Sequence, residues 1–186
     1  MKLVLLGDSI AQGYRNLVEQ KAGDGHEVWA PDENCGHSLM HREKLYMWYI
    51  APKPDVIHFN CGMWDSAKLA DGVSRFSVNT YAYNLRLLVK RVRQATDAKL
   101  IFGTTTPILI PKDDTPPEMC SVDTTVIKYN DTAREVMQEN DVEVNDLFQA
   151  IMDNGFHECI SQDKLHMTDQ GNEVLADAVV NAALGE

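Results

Sequence analysis

Nowhere in this chain do enough apolar residues stand together to cross a bilayer as a helix, which takes about 20. No Cys-x-x-Cys pair occurs either. Cys35, Cys61, Cys120 and Cys159 are scattered singly, so we read them as free thiols and expect neither a zinc site nor a disulfide framework. Cys35 and Cys61 flank segments assigned below to the active site, so the sequence predicts sensitivity to thiol reagents without a catalytic cysteine. Positive charge is in deficit, with 17 Lys and Arg against 28 Asp and Glu and a formal net charge of -11. That balance argues against a nucleic-acid or anionic-membrane binder, which needs basic patches to displace counterions, and leans toward a small neutral or cationic substrate. There is no internal repeat, low-complexity tract or long linker, so the 186 residues are read as one domain, 1–186. Met1-Lys2 runs straight into an apolar segment with no cleavable signal, which predicts a cytoplasmic protein, or a mature form whose signal has been removed.

What is present is an alternation of short apolar runs with helical stripes. Leu3 to Leu6, His26 to Ala30, Asp55 to Asn60, Leu100 to Thr104 and Val142 to Asp146 read as strands. Between them lie a short polar helix or turn over Ala11 to Gln20, a helical pattern over Ser38 to Tyr49, and an amphipathic helix between Ser74 and Thr96. A further helix spans Thr124 to Asn140, and Leu147 to Met152 adds one or two turns. A last helix runs from an N-cap at Thr168 to Leu184, with a stripe of Val174, Leu175, Ala178, Val179 and Ala182. Asp153 to Gln162 reads as irregular. Residues 105–119 read as a long proline-bearing loop, of the kind that shapes a binding site. Strands alternating with helices predict a parallel sheet covered on both faces, an α/β/α three-layer sandwich.

The first strand ends in Gly7-Asp8-Ser9-Ile10, which brings a serine to the carboxyl edge of the sheet, where active sites of open α/β sheets lie. Near the other terminus Asp163-Lys164-Leu165-His166 stands just before the last helix. Serine, histidine and aspartate are the parts a nucleophilic acyl-transfer site needs. In this placement and order the residues resemble the SGNH, or GDSL, family of serine esterases and acylhydrolases, and the resemblance extends over nearly the whole chain. It implies a flavodoxin-like five-stranded parallel sheet, Ser9 as nucleophile, His166 as general base, Asp163 as its orienting carboxylate, and no metal or cofactor. His58 lies within a strand, and His26, His37, His41 and His157 do not match the family position.

The resemblance also implies an oxyanion site made by the backbone N–H of Ser9, a glycine N–H after the second strand, here Gly36, and an asparagine amide after the third. Here the chain departs from the family: aligned on Gly62 and Asp65, the asparagine position holds Trp64. Asn60 is the preferred substitute; Asn34 and the Trp64 indole N–H are the others, and Trp64 alternatively walls the acyl pocket. Asp8 is read as fixing the Ser9 turn through backbone N–H groups, and Asp65 as structural. Asp8, Asn34, Gly62, Met63 and Trp64 are expected around the substrate, with Asp113, Asp114 and Glu118 placing negative charge near the entrance. The implied activity is hydrolysis of a small-molecule ester, acetyl above all, since no lid-sized insertion is available to bury a long chain. The partner is thus that ester, with no nucleic acid and no membrane insertion. A non-catalytic binding or regulatory domain that keeps the fold is the alternative, motivated by Trp64. A nucleotide or phosphate binder is a third, opposed by the lack of a glycine-rich fingerprint or P-loop lysine.

Overall fold

Side-chain alternation in the first strand sets the layering. In the computed structural model, which describes residues 1–185, β1 (Lys2–Leu6) turns Leu3 and Leu5 to one face and Val4 and Leu6 to the other, all four buried. A strand buried on both faces belongs inside a parallel sheet. It pairs with β2 (Glu27–Trp29) on one side and β3 (Val56–Phe59) on the other; β4 (Lys99–Gly103) follows β3. Beyond a separate antiparallel pair, β5 (Leu109–Ile110) and β6 (Ser121–Val122), the chain adds β7 (Glu143–Asn145) at the far edge. The order β2-β1-β3-β4-β7, all parallel, is the expected five-stranded doubly wound sheet.

Of the helices, α1 (Ser9–Ala22), α2 (Ser38–Glu43), α3 (Met63–Ser66), α4 (Val78–Arg93) and α5 (Thr124–Glu139) precede β7. They are followed by α6 (Leu147–Asp153), α7 (Phe156–Cys159) and α8 (Asp169–Leu184). α1 and α8 cover the Leu3 and Leu5 face through Tyr14, Val18, Leu175 and Val179. α4 and α5 cover the other through Tyr81, Leu85, Leu88, Val136 and Met137. There Phe59 and Phe102 meet edge to face, ring centroids 5.2 Å apart. Each fully buried aromatic or aliphatic side chain of this kind contributes about 1.5–3 kcal/mol of transfer free energy.

Several expectations are corrected. The first helix starts at Ser9 itself and runs 14 residues, because Asp8 caps it. The pattern over Ser38 to Tyr49 divides into α2 and a π-helical turn, Tyr46–Ile50, whose wider winding turns Trp48 and Tyr49 inward together. The segment after β4 is no structureless loop: β5 and β6 pair as a short arm. α7 interrupts the stretch read as irregular. In α8 the fully buried stripe is Leu175, Ala176, Val179, Val180 and Ala183, with Val174, Ala178 and Ala182 on its shoulders. All four thiols are free and buried, and burial pushes the Cys35 thiol up to about 12 and Cys61 well above its usual range. Neither is positioned to react with a thiol reagent while the protein is folded, which corrects the predicted sensitivity.

Leu6 is paired with Phe59, and Phe59 with Phe102. The chain therefore leaves β1, β3 and β4 side by side, and Gly7 to Ser9, Asn60 to Gly62 and Gly103 to Thr106 converge at one edge.

Candidate active site

At that edge Asp8 caps α1: its Oδ1 accepts the Ile10 N–H at 3.0 Å. Asp8 is almost wholly buried, and its Oδ2 has no hydrogen-bond partner among the described residues. Burial pushes its carboxyl up to about 6, against the opposing pull of the Ile10 N–H and of His166. The cap fixes Ser9 as the first residue of the helix. The Ser9 N–H is thus one of the leading amide groups that no helical carbonyl can meet, at the positive end of the helix dipole.

The second half of the site is a turn held by its own hydrogen bonds. Ser161 N–H donates to the His166 carbonyl at 2.8 Å and Lys164 N–H to that of Ser161 at 2.9 Å, while Ile160 and Met167 form an isolated antiparallel bridge. Asp163 Oδ1 accepts from His166 N–H at 2.9 Å, Leu165 N–H at 3.0 Å and Ser161 Oγ at 2.7 Å. Its Oδ2 lies 2.6 Å from His166 Nδ1. Burial alone would raise the Asp163 carboxyl. The bonds from the His166 ring, the backbone and Ser161 outweigh it and hold the group well below the usual carboxylate range. A carboxylate at Nδ1 calls for the proton on that nitrogen, leaving Nε2 as an acceptor. Ser9 Oγ lies 2.9 Å from Nε2. Two ends of the chain thus meet as Ser9, His166 and Asp163 in one relay.

Lys164 has no sequence signal of its role. It takes a left-handed backbone, φ 65°, which costs a β-carbon-bearing residue about 1–2 kcal/mol. It is also buried. Its ammonium donates to the carbonyls of Pro111, at 2.8 Å, and Asp113. Its own carbonyl accepts from Leu109 N–H at 3.0 Å and Lys112 Nζ at 2.8 Å. The β5 arm is therefore fastened to the Asp163–His166 turn by one residue. Only position in a four-residue motif distinguished it from an ordinary exposed lysine.

The remaining site residues are placed as follows. Gly36 has φ 60° and its N–H donates to Asn34 Oδ1 at 2.8 Å; an oxyanion at this N–H would displace that bond. Asn60 is buried, and its amide donates to the Gly103 carbonyl at 2.7 Å, which leaves its second amide hydrogen. Gly62 sits at φ 140°, and a β-carbon there would come within 2.5 Å of Thr105 Oγ1, so the bend after β3 requires glycine. Asp65 is buried and accepts both the N–H and the hydroxyl of Ser38, a structural task. Burial also holds His58 down to about 4 and His41 to about 3. Both are neutral core groups, bonded to Asn145 and Tyr49.

Beside Ser9 and His166 opens a groove of about 650 Å³. Met63 and Trp64 line it as expected, together with Ile10, Ile108, Ile110 and Leu165. Asp8, Asn34 and Gly62 do not: Asp8 is buried beneath the head of α1, Asn34 is turned to Gly36, and Gly62 is enclosed by Thr105 and Tyr81. The expected acidic entrance is also corrected. Asp113, Asp114 and Glu118 are absent from the groove wall, whose charged residues are Lys68, Arg75, Lys112 and Asp123. Asp113 instead faces the Lys164 ammonium at 3.8 Å.

Solved structures with this fold carry related names. An acetyl xylan esterase, AlAXEase, superposes with a TM-score of 0.83 at 17% identity, over 98% of this chain and 99% of that one. A lipase/acylhydrolase from Enterococcus faecalis gives 0.77 at 22%, over 97% and 94%. Axe2, an acetylxylan esterase from Geobacillus stearothermophilus, gives 0.73 at 18%, over 97% and 92%. Such identities speak for the fold. No curated protein matches the sequence. The model of the GDSL-like lipase/acylhydrolase family matches residues 5–174, nearly the whole chain, and the chain belongs to that family.

Proposed function

We propose that this chain is a serine ester hydrolase that transfers an acyl group, acetyl by preference, first to Ser9 and then to water. The observation that carries the reading is the relay of Ser9 Oγ, His166 and Asp163, with contacts of 2.9 and 2.6 Å. Ser9 Oγ attacks the ester carbon while His166 Nε2 takes its proton, and the carbonyl π electrons move to oxygen. Asp163 stabilises the imidazolium so formed. Collapse of the tetrahedral intermediate expels the alkoxide, which receives the proton from Nε2 and leaves an acyl group on Ser9. Water then repeats the sequence, and the acid departs with Ser9 and His166 restored.

The oxyanion calls for donors placed in advance, each worth about 3 kcal/mol. The Ser9 N–H at the head of α1 is the first, the Gly36 N–H the second and the free Asn60 amide hydrogen the third. Preference for acetyl rests on the lack of a lid-sized insertion and on two similar structures being named acetylxylan esterases. The test is hydrolysis of p-nitrophenyl esters from acetyl to octanoyl by the parent and by Ser9→Ala. Turnover that is greatest for acetyl and falls to background in Ser9→Ala supports the reading. Folded protein that hydrolyses none of them favours the non-catalytic binding domain for which the Trp64 departure speaks.

A further inference from the structure

The groove beside Ser9 opposes in sign the protein that contains it. The chain carries 28 acidic against 17 basic residues, yet three of the four charged side chains in the groove wall are cations. Lys68, Arg75 and Lys112, which line the groove, have no ion-pair partner among the described residues. Asp163 and Asp123 act on Lys112 only through space. Asp123, the one acid in the groove wall, spends its Oδ1 capping α5 through the Thr125 N–H at 2.8 Å.

These cations are also held in place. Residues 67–75 form a small hairpin in which Arg75 N–H donates to the Ala67 carbonyl at 2.9 Å, Leu69 N–H to that of Val73 at 2.8 Å, and Lys68 bridges Ser74. Lys68 and Arg75 are therefore neighbours at its base. Arg75 lies over the Trp64 ring, 5.6 Å from its centroid, and donates Nε–H to the Trp64 carbonyl at 3.1 Å. Its two terminal nitrogens have no hydrogen-bond acceptor among the described residues. Across the hairpin Lys68 stands opposite Ser74 and Arg75 opposite Ala67, so one small element carries both cations without pairing them against each other. Ile10, Met63, Ile108, Ile110 and Leu165 give the same groove an apolar lining between these charges. At about 650 Å³ the groove far exceeds an acetyl group, so most of it is left for the alcohol.

Resting on the esterase reading, we propose that the natural substrate is an ester whose alcohol part carries an anionic group, received by Lys68, Arg75 and Lys112. Trp64, at the position where the family has asparagine, then serves as the platform that holds Arg75 over the groove. This reverses the lean toward neutral or cationic substrates drawn from net charge. The overall charge is spread over the surface and screened within about 8–10 Å at physiological salt, whereas a bound substrate meets the groove's own charges.

The test compares 4-acetoxybenzoate and 4-acetoxybenzenesulfonate with neutral 4-acetoxybenzamide, each corrected for its rate of hydroxide-catalysed hydrolysis. At low ionic strength the parent is expected to favour at least one anion about tenfold or more in kcat/KM, by contacts of the strength seen for charge-assisted hydrogen bonds. A preference for carboxylate over sulfonate, or the reverse, identifies the anionic group. In Lys68→Gln/Arg75→Gln the anion-to-amide ratio, which cancels any general loss of activity, falls toward one, and 0.5 M salt, with a screening length of about 4 Å, reduces it in the parent. A parent ratio at or below one, or a ratio the double variant leaves intact, overturns the inference while Ser9-dependent cleavage of p-nitrophenyl acetate preserves the esterase reading. If no ester shows Ser9-dependent cleavage, both fall.

Discussion

Replacing Asp163 by asparagine perturbs one atom of the relay and little else. The amide oxygen of Asn can keep the acceptor position that takes the N–H groups of His166 and Leu165 at 2.9 and 3.0 Å and the Ser161 hydroxyl at 2.7 Å, so the turn survives. Its NH2 then replaces Oδ2, 2.6 Å from His166 Nδ1. A donor there drives Nδ1 to accept, and the ring proton moves to Nε2, which then donates toward Ser9 Oγ and can no longer take the hydroxyl proton. The lost charge is the smaller part. An imidazolium and a carboxylate with charge centres about 4 Å apart attract by about 1 kcal/mol in water and about 4 kcal/mol at a protein surface. The two side chains are 43% and 51% exposed, so screening leaves about 2 kcal/mol, or about 30-fold. The tautomer reversal raises the total to about 10³–10⁴-fold in kcat, the scale found for the same change in other Ser-His-Asp sites. Steady-state kinetics on p-nitrophenyl acetate, with circular dichroism to verify folding, measures it. A folded variant within tenfold of the parent would refute the relay.

Asn60→Ala is expected to lower kcat by about 100-fold with little change in KM, as loss of one oxyanion donor does; unchanged turnover removes Asn60 from the oxyanion site. Lys164→Met deletes the ammonium that holds the Pro111 and Asp113 carbonyls, leaving buried acceptors unpaired at about 1–3 kcal/mol each. Urea unfolding should show that loss of stability, and KM should rise as the β5 arm loosens; a parent-like denaturation midpoint contradicts the fastening role. Acid should destabilise the protein well before its surface carboxylates titrate. His41 and His58 have folded values depressed to about 3 and about 4 from 6.5, so their stabilisation is present above pH 6.5 and lost as pH falls. Between pH 6.5 and 4 each loses about 3 kcal/mol, about 6 kcal/mol together. Asp8, raised from 3.8 to about 6, has the opposite sign: its destabilisation is complete above pH 6 and disappears by about pH 4, which returns about 3 kcal/mol. The histidines win by about 3 kcal/mol. Urea midpoints at pH 7 and pH 4 read the difference directly, and a higher midpoint at pH 4 would mean that Asp8 dominates.

Much of the sheet was legible because buried parallel strands are written as continuous apolar runs. Leu3 to Leu6 shows the pattern most plainly, and a Gly-Asp-Ser after it has only one edge to reach. Thr168 and Asp8 were readable for a related reason: capping is local, and the Gly171 and Ile10 N–H groups they accept lie two or three residues away. Where the sequence misled, direction mattered more than composition. Asp113, Asp114 and Glu118 stand in the loop beside the groove, yet the fastening through Lys164 turns Asp113 aside and leaves Lys112 facing in. Two-residue strands such as β5 and β6 are too short for a period to register. The burial of Lys164 depends on carbonyls contributed by residues some fifty positions away, which no local pattern encodes.

Active-site labelling with a fluorophosphonate, followed by peptide mapping, tests the central claim most directly, because only an activated serine forms the phosphonyl adduct. The account predicts stoichiometric label on the peptide containing Ser9, loss of esterase activity in proportion to labelling, and no label in Ser9→Ala or in unfolded protein. Esterase activity that survives full labelling of Ser9, or that persists in Ser9→Ala, would contradict it.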